Sequence, residues 1–274
     1  ATNCDTATVT VIVSIIDAVD DATVAVNGLT GGNTSVLTDN DTITIDEEKI
    51  VVIGSAPGNV IITGLTVPDG FTLNPDGTVA IPENTPAGEY IVVYQICEVD
   101  NPINCDSATA TIVVSAPVID AVEDITAEVN GLTGGDTEPL TDNDTLNDVL
   151  VEIGIGPGDV TLTETTVPTG FTLNPNGTVT VPANTPAGDY EVIYQICEVN
   201  NPTNCDSATA TIVVSAPVID AVDDGTVALN GLTGGNTTAL TDNDTLNGDA
   251  VEIGTVPGNV ILTGTTVPLG FTLN

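Results

Sequence analysis

Histidine, arginine, methionine and tryptophan are missing from these 274 residues, and Lys49 is the one basic residue. Each absence excludes a chemistry. Without histidine there is no Ser–His or Cys–His nucleophile pair and no histidine-based zinc site. One lysine and no arginine cannot neutralise a row of phosphates, which excludes nucleic acid as a partner and disfavours anionic membrane surfaces. Isopeptide staples between Lys and Asn need a lysine in every structural unit, and this chain has a single one. Aromatic residues make up only 3% of the chain, leaving little surface on which a sugar ring could stack. A carboxylate-pair glycosidase is therefore a poor fit, although acids are plentiful. No enzyme is expected.

What is present is acid. The 39 Asp and Glu residues give a formal net charge of −38, so cations are the natural partners. Such a charge can mark disorder. Here, however, 41% of residues are hydrophobic and only 15% are charged. Val, Ile and Leu recur in alternating runs, as expected of folded β-structure with an acidic surface. No apolar run reaches the roughly 18–20 residues of a membrane span. The first ten residues, ATNCDTATVT, have neither the basic region nor the apolar core of a signal peptide.

Internal repetition sets the organisation. Phe71, Phe171 and Phe271 are spaced by 100 residues, as are Cys105 and Cys205, and L-T-D-N-D-T begins at Leu37, Leu140 and Leu240. The sequence YQICEVNNPTNCDSATATIVVS at 194–215 has a close copy at 94–115, and its last third opens the chain at 4–14. A unit of about 100 residues is domain-sized and far longer than a solenoid repeat. The division is residues 1–14 as the last strand of a preceding repeat, 15–115 and 116–215 as two complete repeats, and 216–274 as a truncated third. Ser-Ala-Pro joins successive repeats, too short and too stiff to be a flexible spacer. A semi-rigid linear array is expected.

Within the second repeat, strands are predicted over 118–129, 149–153, 160–163, 171–174, 178–182, 190–198 and 206–214. Asn174-Pro175-Asn176-Gly177 reads as a hairpin turn, and Gly and Pro punctuate the remaining boundaries. No stretch keeps a helical period over ten residues. About seven short strands per 100 residues predict an all-β chain of tandem immunoglobulin-like β-sandwiches, with a core of Val, Ile and Leu in place of a buried Trp.

Cys97/Cys105 and Cys197/Cys205 share the spacing C-x7-C across a predicted hairpin. Two thiols per repeat are too few for a metal site, so two disulfides are expected, each a local clamp of roughly 2.5 kcal/mol on the chain-entropy account. Persistent disulfides place the protein outside the cytosol. Cys4 aligns with Cys105 and Cys205, so its partner should precede Ala1. The sequence is therefore expected to be an excerpt of a longer repeat protein. One strand donated by a second copy could not replace the several that the third repeat lacks.

The acids cluster twice in each repeat. The first cluster holds Asp17, Asp20 and Asp21, then Asp120, Glu123 and Asp124, then Asp220, Asp223 and Asp224. The second is D-N-D, at Asp39, Asn40 and Asp41, at Asp142, Asn143 and Asp144, and at Asp242, Asn243 and Asp244. Closely spaced Asp and Asn oxygens suit Ca²⁺, which takes six to eight such ligands. The same residues equally suit a polar turn and a solvated edge, and no EF-hand spacing is present.

The succession I-D-A-V-D-D, L-T-D-N-D-T, F-T-L-N-P-N-G-T-V, Y-Q-I-C and A-T-A-T-I-V-V resembles the tandem Ig-like, cadherin-like repeats of very large bacterial surface adhesins. The C-E-V-x-N-P-x-N-C hairpin is similar to versions in Bacteroidota, including gliding bacteria that export such proteins by the type IX route. The resemblance implies an extracellular, cell-surface stalk or filament, often stiffened by calcium, whose partners are neighbouring repeats of the same long chain. Asp followed by Ser or Thr and a small or apolar residue also resembles the O-glycosylation acceptor of that phylum. It offers Thr6, Thr42, Ser107, Thr145, Ser207 and Thr245. The first functional expectation is thus a structural segment giving reach and stiffness. The alternatives are ligand-binding modules that recognise surface glycans or other cells through loops such as 131–135, or a self-assembling filament protomer.

Overall fold

The computed structural model describes residues 5–8, 14–23, 25–44 and 48–274. Cys4, and most of the expected preceding strand at 1–14, lie outside the described residues. The described chain is all-β apart from a single 3₁₀ turn at Leu37–Asp39. No helix among the described residues is long and apolar enough to cross a membrane. By contacts the chain forms two compact units. One comprises Ala1–Ile119, Leu146–Thr161 and Cys197–Cys205, and the other Asp120–Thr145, Leu162–Ile196 and Asp206–Asn274.

In the first repeat the strands are β1 (Ile15–Asp17), β2 (Asp21–Ala22), β3 (Val26–Asn27), β4 (Gly32–Asn33), β5 (Thr42–Thr44), β6 (Glu48–Ile50), β7 (Val60–Thr66), β8 (Thr72–Leu73), β9 (Val79–Ile81), β10 (Gly88–Glu98) and β11 (Cys105–Ser115). Two of these are long, and they organise the rest. β10 and β11 pair antiparallel from Gly88↔Val114 to Cys97↔Cys105. Their sheet runs β2-β11-β10-β7, with β3 also beside β11; β1-β5-β6 and β4-β9-β8 are separate three-stranded sheets. This makes a β-sandwich.

The alternation read from sequence is the reason. Along β10, Val92, Tyr94 and Ile96 point inward, and along β11 Ala108, Ala110, Ile112 and Val114 do the same. Facing them are Ile16, Leu37, Ile43, Phe71, Val79 and Ile81. Each fully buried aliphatic side chain contributes about 1.5–3 kcal/mol of transfer free energy. The turn at Asn74-Pro75-Asp76-Gly77 closes β8 onto β9. Gly77 sits at φ 86°, and its N–H donates to the Asn74 carbonyl at 3.0 Å. A side chain there would meet strain and the Ile53 methyl 2.8 Å away.

The second repeat follows the same order: β12 (Ile119–Asp120), β13 (Asp124–Ile125), β14 (Val129–Asn130), β15 (Gly135–Asp136), β16 (Thr145–Leu146), β17 (Val149–Leu150), β18 (Val160–Thr166), β19 (Thr172–Leu173), β20 (Val179–Val181), β21 (Gly188–Glu198) and β22 (Cys205–Ser215). The third adds β23 (Ile219–Asp220), β24 (Thr245–Leu246) and β25 (Asp249–Ala250).

The first strand expected from sequence, 118–129, is three short strands instead. β12 belongs to one sheet and β13 and β14 to the other. The chain changes sheets between them, as it does between β1 and β2 in the first repeat.

Candidate functional site

A sheet change frees backbone N–H groups that a continuous ladder would have satisfied, and buried donors need acceptors. The acids supply them. Where the chain leaves β1, the Ala18 N–H donates to Asp106 Oδ2 at 2.9 Å and the Val19 N–H to Asp41 Oδ1 at 2.7 Å. The second repeat places Asp206 and Asp144 on the N–H groups of Ala121 and Val122 at the same distances, 2.9 and 2.7 Å. In the third, Val222 donates to Asp244 at 2.8 Å. Asp20 Oδ1 accepts the Thr109 N–H at 2.8 Å.

Behind this crossover lies a tyrosine. The Tyr94 hydroxyl is 3.0 Å from Asp21 Oδ2 and 3.1 Å from both oxygens of Asp41, with the Leu37 carbonyl at 3.1 Å. Tyr94 and Asp41 have no solvent exposure. Tyr194 repeats the arrangement, 3.2 Å from Asp124 and 3.1 Å from each oxygen of Asp144. One carboxylate from each acidic cluster of a complete repeat therefore faces the same phenol.

A hydroxyl has a single proton to donate. Burial, followed by the facing Asp41 charge, pushes Asp21 up to about 6, against the lowering effect of the Tyr94 hydrogen bond. Asp124 is pushed up to about 6 by burial and by Asp144 in the same way. Burial also raises Asp41 and Asp144, and it raises both tyrosines, with the neighbouring carboxylates adding to the effect. Sequence reading singled out the carboxylates and treated the tyrosines as core. The available signal was a Tyr at a fixed position in both repeats that also carry an acidic pair, Asp20-Asp21 or Glu123-Asp124, and D-N-D.

The remaining candidates are more exposed. Asp17, Asp20, Asp39, Asn40, Asp120, Glu123, Asp142, Asn143, Asp220, Asp223, Asp224 and Asp242, Asn243 are exposed, while Asp244 is half-buried. Among the described residues no group of three Cys, Asp or Glu side chains is placed to hold a metal ion. The inner carboxylates are already engaged by N–H groups and tyrosine. Of the candidate glycosylation positions, Thr6, Ser107 and Ser207 are exposed, and Thr42, Thr145 and Thr245 are half-buried in sheets.

Both expected disulfides are present, Cys97–Cys105 and Cys197–Cys205. The first joins residues directly opposite each other in register. Beneath it the buried Glu98 carboxylate accepts from the Ser14 hydroxyl at 2.6 Å and the Asn104 amide at 3.2 Å.

Asparagines missed by sequence reading make contacts of their own, and the Asn27–Asn147 contact recurs as Asn130–Asn247. Inside the first compact unit, the Asn27 amide donates to Asn147 Oδ1 at 3.1 Å, the Asn200 amide donates to the Asn84 carbonyl at 3.1 Å, and the Ala87 N–H donates to Asn201 Oδ1 at 2.6 Å. Inside the second, Asn130 and Asn247 donate to each other at 3.2 and 3.0 Å. Asn147 and Asn247 hold φ values of 53° and 51°, a left-handed conformation that asparagine tolerates better than most residues.

No family model and no curated protein matches the chain. Among solved structures it is similar to human protocadherin-24 EC1-2, at 16% identity and a TM-score of 0.29 over 57% of this chain and 82% of that one. It is similar to chicken VE-cadherin EC1-2 at 17% identity and 0.31, over 71% and 98%. A third is BT4661, a SusE-like surface-located polysaccharide-binding protein of Bacteroides thetaiotaomicron, at 13% and 0.27, with 76% of this chain matching 35% of that protein. At these scores the likenesses carry no conclusion about function.

Proposed function

We propose that this chain is a non-enzymatic, structural segment of an extracellular repeat protein, giving reach and stiffness at a cell surface as an adhesin stalk or filament. The observation that carries the reading is duplication of the same internal devices. Both complete repeats share one disulfide-clamped hairpin, one tyrosine–carboxylate cluster and one crossover, and one asparagine–asparagine contact also recurs. A receptor site is usually confined to one distinctive domain, whereas a spacer is built by copying. The disulfides support an oxidising location. A cleft of about 560 Å³ bordered by Val36, Thr38, Asp39, Val51, Ile53 and Asp76 has neither an aromatic nor a basic side chain, which favours spacing over recognition of glycans or other cells.

Divalent cations such as Ca²⁺ enter this reading as counter-ions of the acidic surface, through exposed members such as Asp39, Asn40, Asp142 and Asn143. O-glycans would attach at the exposed Thr6, Ser107 and Ser207. Spin labels on the first and second complete repeats test the main reading. A stiff segment gives a narrow distance distribution that survives urea below the unfolding transition. A broad one would sink it. An unchanged melting temperature in EDTA removes the cation, and an unmodified intact mass of natively purified protein removes the glycan.

A further inference from the structure

Strand β7 ends the sheet β2-β11-β10-β7, so one of its sides faces away from β10. At its start that side is covered: the Val60 N–H donates to the Val52 carbonyl at 2.9 Å, and the Gly54 N–H donates to the Val60 carbonyl at 3.0 Å. Backbone groups alternate along a strand, so those of Ile62 and Gly64 point the same way as those of Val60. Beyond Val60 the edge left open among the described residues runs from Ile62 to Gly64, about 10 Å at roughly 3.3 Å per residue, before the register against β10 shifts between Gly64 and Thr66. An unprotected edge is a template for another strand, and proteins ordinarily blunt it with charge.

The two complete repeats differ at this place. β7 reads VIITGLT and β18 reads VTLTETT, so exposed Glu164 stands where the first repeat has Gly64. On the outer face, Ile61 and Leu65 are 54% exposed and Ile91 47%; their counterparts are Thr161, Thr165 and Glu191. In a chain of net charge −38, β7 carries no charge, although Asp69 and Asp100 lie near its ends.

We propose that β7 is a self-association edge, on which the β7 of a second copy of this chain adds antiparallel. The occupant follows from charge and symmetry. An antiparallel pair of identical strands is self-complementary about a two-fold axis, each copy offering the other the same free N–H and C=O groups. Two polyanions approach most closely where neither presents a charge. The second repeat, with Glu164 on the strand and Glu191 beside it, is guarded against the same contact. This inference does not depend on the stalk reading.

Sedimentation velocity of the full chain over a range of concentrations, in 0.1 M and 1 M NaCl, tests it. The expected result is a monomer–dimer equilibrium strengthened at least several-fold by high salt, which screens the net charge. Gly64→Glu should weaken it at least tenfold. A Cβ at position 64 would meet the Val67 methyl at 2.7 Å, so that side chain must shift; Glu already occupies the matching position of β18 beside Val167, so the variant should fold, with an unchanged circular dichroism spectrum. As a second measurement, Thr63→Cys should form intermolecular disulfides several-fold faster than the matched Thr163→Cys. A chain that stays monomeric at all concentrations in 1 M NaCl, or equal cross-linking at the two cysteines, overturns the proposal.

Discussion

The second and third repeats have closely similar sequences up to the point where the chain ends, yet similar residues fare differently. Leu140 is 1% exposed and Leu240 41%; Phe171 is 9% exposed and Phe271 67%. The third repeat has no counterpart of β21 and β22 within the sequence. What persists without that hairpin is the small sheet β23-β24-β25, with Leu246 still only 8% exposed, and the Asn130–Asn247 contact. Local turns and short pairings form from their own sequence. Leu140 and Phe171 are buried in the repeat that carries β21 and β22.

The largest test of this contrast is the pair Phe171→Ala and Phe271→Ala. The first should cost about 3–5 kcal/mol, since Phe171 packs in the core and against Tyr190 with ring centroids 4.9 Å apart. The second should change stability by less than about 0.5 kcal/mol. Urea unfolding followed by circular dichroism measures both, and equal effects would erase the distinction. Next in size, Cys197→Ala with Cys205→Ala should lower the stability of the second repeat by about 2–3 kcal/mol, read as an earlier urea midpoint.

Tyr194→Phe removes the hydroxyl that faces Asp124 and Asp144 and should cost about 1–3 kcal/mol at neutral pH.

The smallest effect is one of pH. Asp124 titrates at about 6 in the folded chain against an ordinary value of 3.8, and Asp21 behaves alike. The folded state thus binds more protons than the unfolded state between about pH 4 and 6. That contribution to stability is complete below the ordinary value and is lost as pH rises through 6. The melting temperature should therefore be higher at pH 5 than at pH 7.5. Asp144→Asn, which removes the facing charge, should flatten the profile; an unchanged slope would dissociate the effect from this cluster.

Much of the fold was legible in the sequence because its signals are local. Alternation along 190–198 and 206–214 marked the two long strands, C-x7-C located the disulfides, and Asn174-Pro175-Asn176-Gly177 gave the β19–β20 turn. The crossover at 121–123 was not legible, because continuous alternation looks the same whether its residues pair in one sheet or two. The candidate site was half visible for a related reason. Acid clusters stand out in composition, but what they face is set by contacts 50 or more residues away, such as Tyr194 to Asp144. A tyrosine on an apolar strand gives no hint that its hydroxyl ends between two carboxylates.

The parallel pairing at the start of each complete repeat has a mechanical consequence. β3 enters the first repeat beside β11, with Val26 opposite Val114 and Asn27 opposite Ser115, and β14 does the same beside β22. Because these strands run in the same direction, tension applied along the chain pulls them past one another in shear. The hydrogen bonds of the pairing share that load instead of opening singly, as they would in an unzipping hairpin. The disulfide closes the far end of the same hairpin, so the loop between its two cysteines stays locked even after the shear contact has yielded.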